Sequence, residues 1–151
     1  MVTAKCGFDT GPAGSGAALL TQFGPTIFVD IGFDENYTAE GLTKQLDVRN
    51  VHALVDTGAS ISCIDNGLAI QLKLPIFDRQ KIGGVGGLHE VNMYLAQVHV
   101  PALNSTIYGE LAGVDLVASG QMHSALIGRT FLAHFTMVYE GRTGTVTLSN
   151  D

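Results

Sequence analysis

The chain has 151 residues, 46% of them hydrophobic and 15% charged, with a net charge of −6. That much apolar material suffices for one domain around a single buried core, and the acidic balance without a basic stripe argues against nucleic acid as a partner. No run approaches the roughly 18 apolar residues that span a bilayer, and no basic segment leads into an apolar one at the start, so a soluble chain is expected, with no membrane partner and the cytoplasm favoured.

In chain order, residues 1–24 are rich in Gly and Ala and read as an N-terminal segment or linker before a domain over 25–151. After Pro25, Ile27, Val29 and Ile31 alternate with other residues and predict a half-buried strand. The polar stretch 34–45 reads as a loop. A second strand is expected over Leu46–Val55, ending in the turn Asp56-Thr57-Gly58 ahead of an apolar strand over Ile61–Ile64. Asp65 or Asn66 can cap a short helix carrying Leu68, Ala69 and Leu72, which Pro75 stops. Lys81–Val100 reads as a hairpin with the glycine-rich tip 83–87. Further strands are expected over Thr106–Leu111 and Asp115–Ala118, then Ala125–Ile127 leading into a short helix around Arg129–His134. Met137–Tyr139 and Thr145–Leu148, joined by a turn, form a closing hairpin. Many short strands with glycine turns and one or two brief helices indicate an all-β, barrel-like domain.

Chemistry concentrates in His52-Ala53-Leu54-Val55-Asp56-Thr57-Gly58-Ala59-Ser60-Ile61-Ser62. An aspartate set between two apolar strands is costly to desolvate unless it is neutralised or hydrogen-bonded, and such a cost marks function more often than accident. Asp-Thr-Gly is also ordinary turn chemistry, so the tripeptide alone leaves a structural role open.

Three separated segments, in order, resemble the retropepsin-like (retroviral-type) aspartic proteases. Asp56-Thr57-Gly58-Ala59-Ser60 resembles the catalytic loop; Ile82-Gly83-Gly84-Val85-Gly86-Gly87 resembles the flap; Ala125-Leu126-Ile127-Gly128-Arg129 resembles the apolar-apolar-Gly-Arg segment before the C-terminal helix. The resemblance covers roughly residues 25–150. It implies an acid-protease closed barrel with a flap hairpin, assembled as a two-fold symmetric homodimer in which two copies of Asp56 share one proton. It also implies an extended peptide or protein as substrate and no cofactor or metal.

By the same resemblance, Thr57 braces the paired catalytic loops and Gly58 admits the substrate backbone, while Val85 offers its N–H to substrate carbonyls through a water. Ala59, Ser60, Ile82, Gly83, Gly84, Gly86, Leu126 and Ile127 are the remaining candidate substrate-binding residues, with Leu126, Ile127, Ile82 and Val85 expected to line apolar subsites. Two departures stand out. Retroviral members follow Asp-Thr-Gly-Ala with an acidic residue that pairs with the later arginine, but here Ser60 holds that position and leaves Arg129 without an assigned partner. The stretch before the catalytic loop and the 101–124 region are longer than in compact viral enzymes, which points to a cellular member. The alternative reading is a non-catalytic peptide-binding or dimerisation module that keeps the barrel and flap.

Other motifs carry less. Asp9-Thr10-Gly11 repeats the tripeptide, but it lies too close to Asp56 for each to head its own lobe, and Pro12-Ala13-Gly14 follows it in place of an apolar strand. His89-Glu90 begins like a helical zinc motif, yet position 93 is Met and the surroundings read as a strand. Cys6 and Cys63 form neither a CxxC pair nor a disulfide framework, and Cys63 reads as a small buried hydrophobe.

Overall fold

The computed structural model describes residues 1–35, 46, 48–84 and 86–150. Residues 36–45 of the loop expected over 34–45, and the flap-tip role of Val85, fall outside the described residues. In chain order the elements are β1 (Thr3–Lys5), α1 (Gly16–Phe23), β2 (Thr26–Gly32), β3 (Val48–Val55), β4 (Cys63–Asp65), α2 (Asn66–Gln71), β5 (Ile76–Gly84), β6 (Gly87–Val100), β7 (Ser105–Val114), β8 (Ala125–Ile127), α3 (Arg129–Leu132), β9 (Thr136–Glu140) and β10 (Thr145–Ser149).

Among the described residues, seven strands form one sheet in the order β2-β3-β8-β4-β7-β6-β5, and a further β2–β6 pairing joins its second-last strand back to its first. Closure leaves six of the strands in a ring with β5 hanging from β6, which is how the all-β barrel expectation is realised. Ile27, Val29 and Ile31 of β2 point inward at 3% exposure or less, as their alternation requires, and meet Ala53 and Val55 of β3 and Ala96 and Val98 of β6 in one core cluster. Each large aliphatic side chain buried there contributes roughly 1.5–3 kcal/mol.

A second sheet, β1-β10-β9, is antiparallel throughout. It brings the first residues of the chain against the last: Thr3 pairs with Ser149 and Lys5 with Thr147. The first 24 residues, expected to be a segment or linker on composition alone, therefore carry β1 and α1 and send Ala4, Cys6 and Leu20 into the main core. Within this segment the second Asp-Thr-Gly acts locally: Thr10 Oγ1 accepts the Gly16 amide at 2.9 Å where α1 begins.

One expected strand is absent. Residues 115–120 form a bend and turns instead, because the buried Asp65 carboxylate accepts the amides of Leu116 and Val117, both at 3.0 Å. Those amides would otherwise serve a ladder. Asp65, not Asn66, caps α2, with its other oxygen accepting from the Leu68 amide at 3.3 Å. The strand expected over Ile61–Ile64 forms later, over Cys63–Asp65.

Candidate active site

β3 and β8 run parallel, with Val55 beside Ile127, so the two strands end together. One end delivers Asp56 and the other delivers Gly128 and Arg129. The Asp56 amide donates to the Ile127 carbonyl at 2.9 Å, fixing the start of the turn, and the Gly58 amide donates to Asp56 Oδ1 at 2.9 Å. The carboxylate is thus oriented by its own loop, and Asp56 stays half-buried at the edge of an open cleft of about 1500 Å³.

The segment from Gly128 onward clamps the loop by successive amides. Gly128 N–H donates to Ser62 Oγ at 3.0 Å, Arg129 N–H to the Ala59 carbonyl at 2.8 Å, and Thr130 N–H to the Ser60 carbonyl at 3.1 Å. The Arg129 guanidinium adds Nη1 to the Thr57 carbonyl at 2.8 Å. Among the described residues, the arginine left without an assigned partner by Ser60 is held by a main-chain oxygen next to Asp56 and not by an acid. Such close approach needs a glycine at 128: a Cβ there would stand 2.6 Å from both the carbonyl carbon and oxygen of Ile61.

The hairpin β5–β6 forms the facing wall. Its tip turns through Gly86 and Gly87 at φ 95° and 108°, in the left-handed region that glycine enters freely. Directly opposed residues in an antiparallel pair share a face. Ile82 opposes His89, and Ile82 packs with Leu126, Val114 and Ile61 around buried Cys63, Val91 and Met93, so this face of the hairpin looks onto the cleft floor. On the other face, Arg79 Nε meets Glu90 Oε1 at 2.9 Å.

Asp56, Gly58, Ala59, Ser60, Ile82, Gly83, Gly84 and Leu126 all line this one cleft. Thr57 is exposed beside it, and Gly86 sits at the hairpin turn. Ile127 does not join them. Successive strand residues point to opposite faces, so with Leu126 toward the cleft Ile127 is 2% exposed in the main core, which does not fit its expected substrate contact. Two residues outside the expected set also stand here: Ser62, which holds the Gly128 amide, and His89, which lines the cleft; a hydroxyl inside the apolar run 61–64 was the available signal for the first.

Cys63 lines the cleft as a thiol only 6% exposed, and burial, with the Asp56 charge adding, pushes its pKa up to about 11. It is held as a neutral thiol at physiological pH. Among the described residues, no group of three or more His, Cys, Asp or Glu side chains could hold a metal ion, and no helix is long and apolar enough to cross a membrane.

Residues 42–134 match the family described as "gag-polyprotein putative aspartyl protease". The chain belongs to the retropepsin-like aspartic protease family. Among solved structures, a retropepsin-like aspartic protease from Rickettsia conorii aligns over 97% of this chain and 90% of its own, with a TM-score of 0.52 at 14% identity. The EIAV protease complexed with the inhibitor HBY-793 aligns over 72% of this chain and 85% of its own, with a TM-score of 0.49 at 22% identity. No curated protein matches the chain.

Proposed function

We propose that this chain is an aspartic endopeptidase in which Asp56 and the Asp56 of a second copy form one catalytic dyad. The observation that carries the reading is Asp56 itself: a carboxylate oriented by the Gly58 amide at 2.9 Å, on the edge of a cleft walled by a glycine-tipped hairpin, in a chain of this family. One carboxylate cannot both take a proton from water and give one to the carbonyl under attack. Two that share a proton can, and this division is established for aspartic proteases in general. The ionised partner takes the proton as water attacks the scissile carbonyl; the protonated partner donates to the carbonyl oxygen; the resulting gem-diol collapses with proton transfer to the leaving amine.

Each chain supplies a single suitable aspartate, so the site requires a homodimer. The half-buried apolar side chains Ile82, Leu126, Val114 and Ile61 would receive apolar residues flanking the cut bond in an extended peptide or protein substrate. Thr57 and Gly58, exposed in the single chain, are the surface on which the second catalytic loop would rest.

The test is Asp56→Asn, which keeps shape but removes the shared proton. Peptide cleavage, mapped by mass spectrometry on a diverse peptide pool, is expected to vanish while the circular dichroism spectrum and dimer mass stay as in the parent. Asp9→Asn is expected to cleave normally. Equal cleavage by Asp56→Asn and the parent would refute the assignment.

A further inference from the structure

On the hairpin wall of the cleft, His89 has no hydrogen-bond partner among the described residues, and the dyad mechanism does not use it. His89 opposes Ile82 across the hairpin and lines the same cleft as Asp56. Its alternate neighbours along β6, Val91 and Met93, belong to the apolar cluster with Ile82 and Leu126, so His89 continues that inward row toward the tip. The ring reaches forward: Nε2 lies 3.9 Å from the point where a Cβ on Gly86 would stand. Lys81 and Glu90 stand on the alternate row of the hairpin and also reach the cleft, where Glu90 is already held by Arg79 at 2.9 Å.

We infer that His89 is a specificity-determining residue, reading a neutral hydrogen-bonding side chain, of the carboxamide class, in a peptide that otherwise presents apolar residues to the cleft. The imidazole offers a donor and an acceptor, matching the acceptor and donor of a Gln or Asn side chain. A carboxylate would be disfavoured at this place because the dyad below already carries negative charge. A polar contact set in an apolar wall discriminates by more than its own strength, since the group left unpaired with the wrong ligand loses its hydration for nothing. In a two-fold assembly the residue occurs twice, so one such position is expected on each side of the cut bond.

This inference rests on the endopeptidase reading. The experiment uses matched peptides in which each position flanking the mapped cleavage site is Leu or Gln, with kcat and KM measured for the parent, His89→Leu and His89→Gln. At one position on each side, the ratio of KM for the Gln peptide to KM for the Leu peptide is expected to rise about three- to tenfold in His89→Leu, with the kcat ratio unmoved, and to stay near the parental value in His89→Gln. An unaltered KM ratio in His89→Leu, or an equal loss on every peptide, would overturn the inference, the latter indicating a merely structural role in the hairpin. Peptide binding to Asp56→Asn, with and without His89→Leu, separates the two readings. Carboxamide-dependent binding that needs His89, with no cleavage by the parent, would sink the catalytic assignment alone; binding indifferent to His89 would sink the specificity role alone; no binding by either form would sink both.

Discussion

Arg129 donates Nη1 to the carbonyl oxygen of Thr57 at 2.8 Å, joining the residue that opens α3 to the middle of the Asp56-Thr57-Gly58 turn. A guanidinium-to-carbonyl bond is charge-assisted, and it is reinforced by main-chain bonds from Arg129 and Thr130 to Ala59 and Ser60. The turn that carries the Asp56 carboxylate is thereby tied to a helix on the barrel and is not a free loop.

Arg129→Met is therefore expected to lower kcat/KM by about tenfold or more, in line with the ~1.5–3 kcal/mol of a hydrogen bond to a charged group. Arg129→Lys should recover part of this, because an ammonium reaches one acceptor but lacks the fork. Parallel thermal melts separate the catalytic effect from unfolding; a parental kcat/KM in Arg129→Met would show that the turn holds its shape unaided.

Gly128→Ala tests the same joint from the backbone side. The added methyl would sit 2.6 Å from Ile61 main-chain atoms and 2.9 Å from the Ala59 carbonyl oxygen, where no flexible side chain can yield. Overpacking of this kind costs about 1–3 kcal/mol. Chemical denaturation should give a lowered midpoint with unchanged slope, together with weakened cleavage.

Dimer dependence has a direct signature. If the site exists only in the pair, specific activity falls as the protein is diluted below its dimer dissociation constant, and added Asp56→Asn chains poison the parent by forming heterodimers with one working aspartate. Sedimentation velocity alongside the dilution series checks it; an active monomer would contradict the shared site.

His123 is fully buried, with Nε2 2.7 Å from Thr26 Oγ1 and Nδ1 3.1 Å from Gln121 Oε1. Burial, with a smaller effect from His52, holds its pKa below the ordinary 6.5. The unfolded chain then binds the proton first as pH falls, so the contribution of His123 to stability is present above pH 6.5 and is lost below it. Unfolding free energies measured by denaturant titration from pH 8 to pH 5 should fall more steeply for the parent than for His123→Gln, by at most about 1.4 kcal/mol per pH unit. Identical slopes would mean the buried ring is protonated without penalty.

The two thiols predict the opposite limb. Burial pushes Cys6 and Cys63 from 9.0 up to about 11, so stability from keeping them neutral is complete below pH 9 and is lost as pH rises from 9 to 11. At neutral pH the thiolate fraction of each is about 100-fold below that of the unfolded chain. Iodoacetamide should label denaturant-unfolded protein readily and folded protein slowly, leaving cleavage intact over the labelling time; rapid inhibition of the folded protein would show that Cys63 is reached in place.

Much of this was legible in the chain because its signals are local. Alternation in Thr26–Gly32 fixes which side chains of β2 enter the core, Asp65 is a good cap wherever a helix follows, and three motif segments in order were enough to point to the fold and to Asp56. What the chain could not disclose depends on partners distant in sequence. The composition of residues 1–24 gives no sign of β10, whose ladder makes Thr3–Lys5 a strand. The expected strand at 115–118 yielded to a carboxylate some fifty residues away, at Asp65. Leu126 and Ile127 are chemically alike, and only the pairing of β8 between β3 and β4 decides that one meets the cleft and the other the core. Composition and periodicity determine what each segment can form alone; tertiary structure decides which carbonyl holds Arg129 and which face carries His89, because those outcomes depend on where separate strands happen to end side by side.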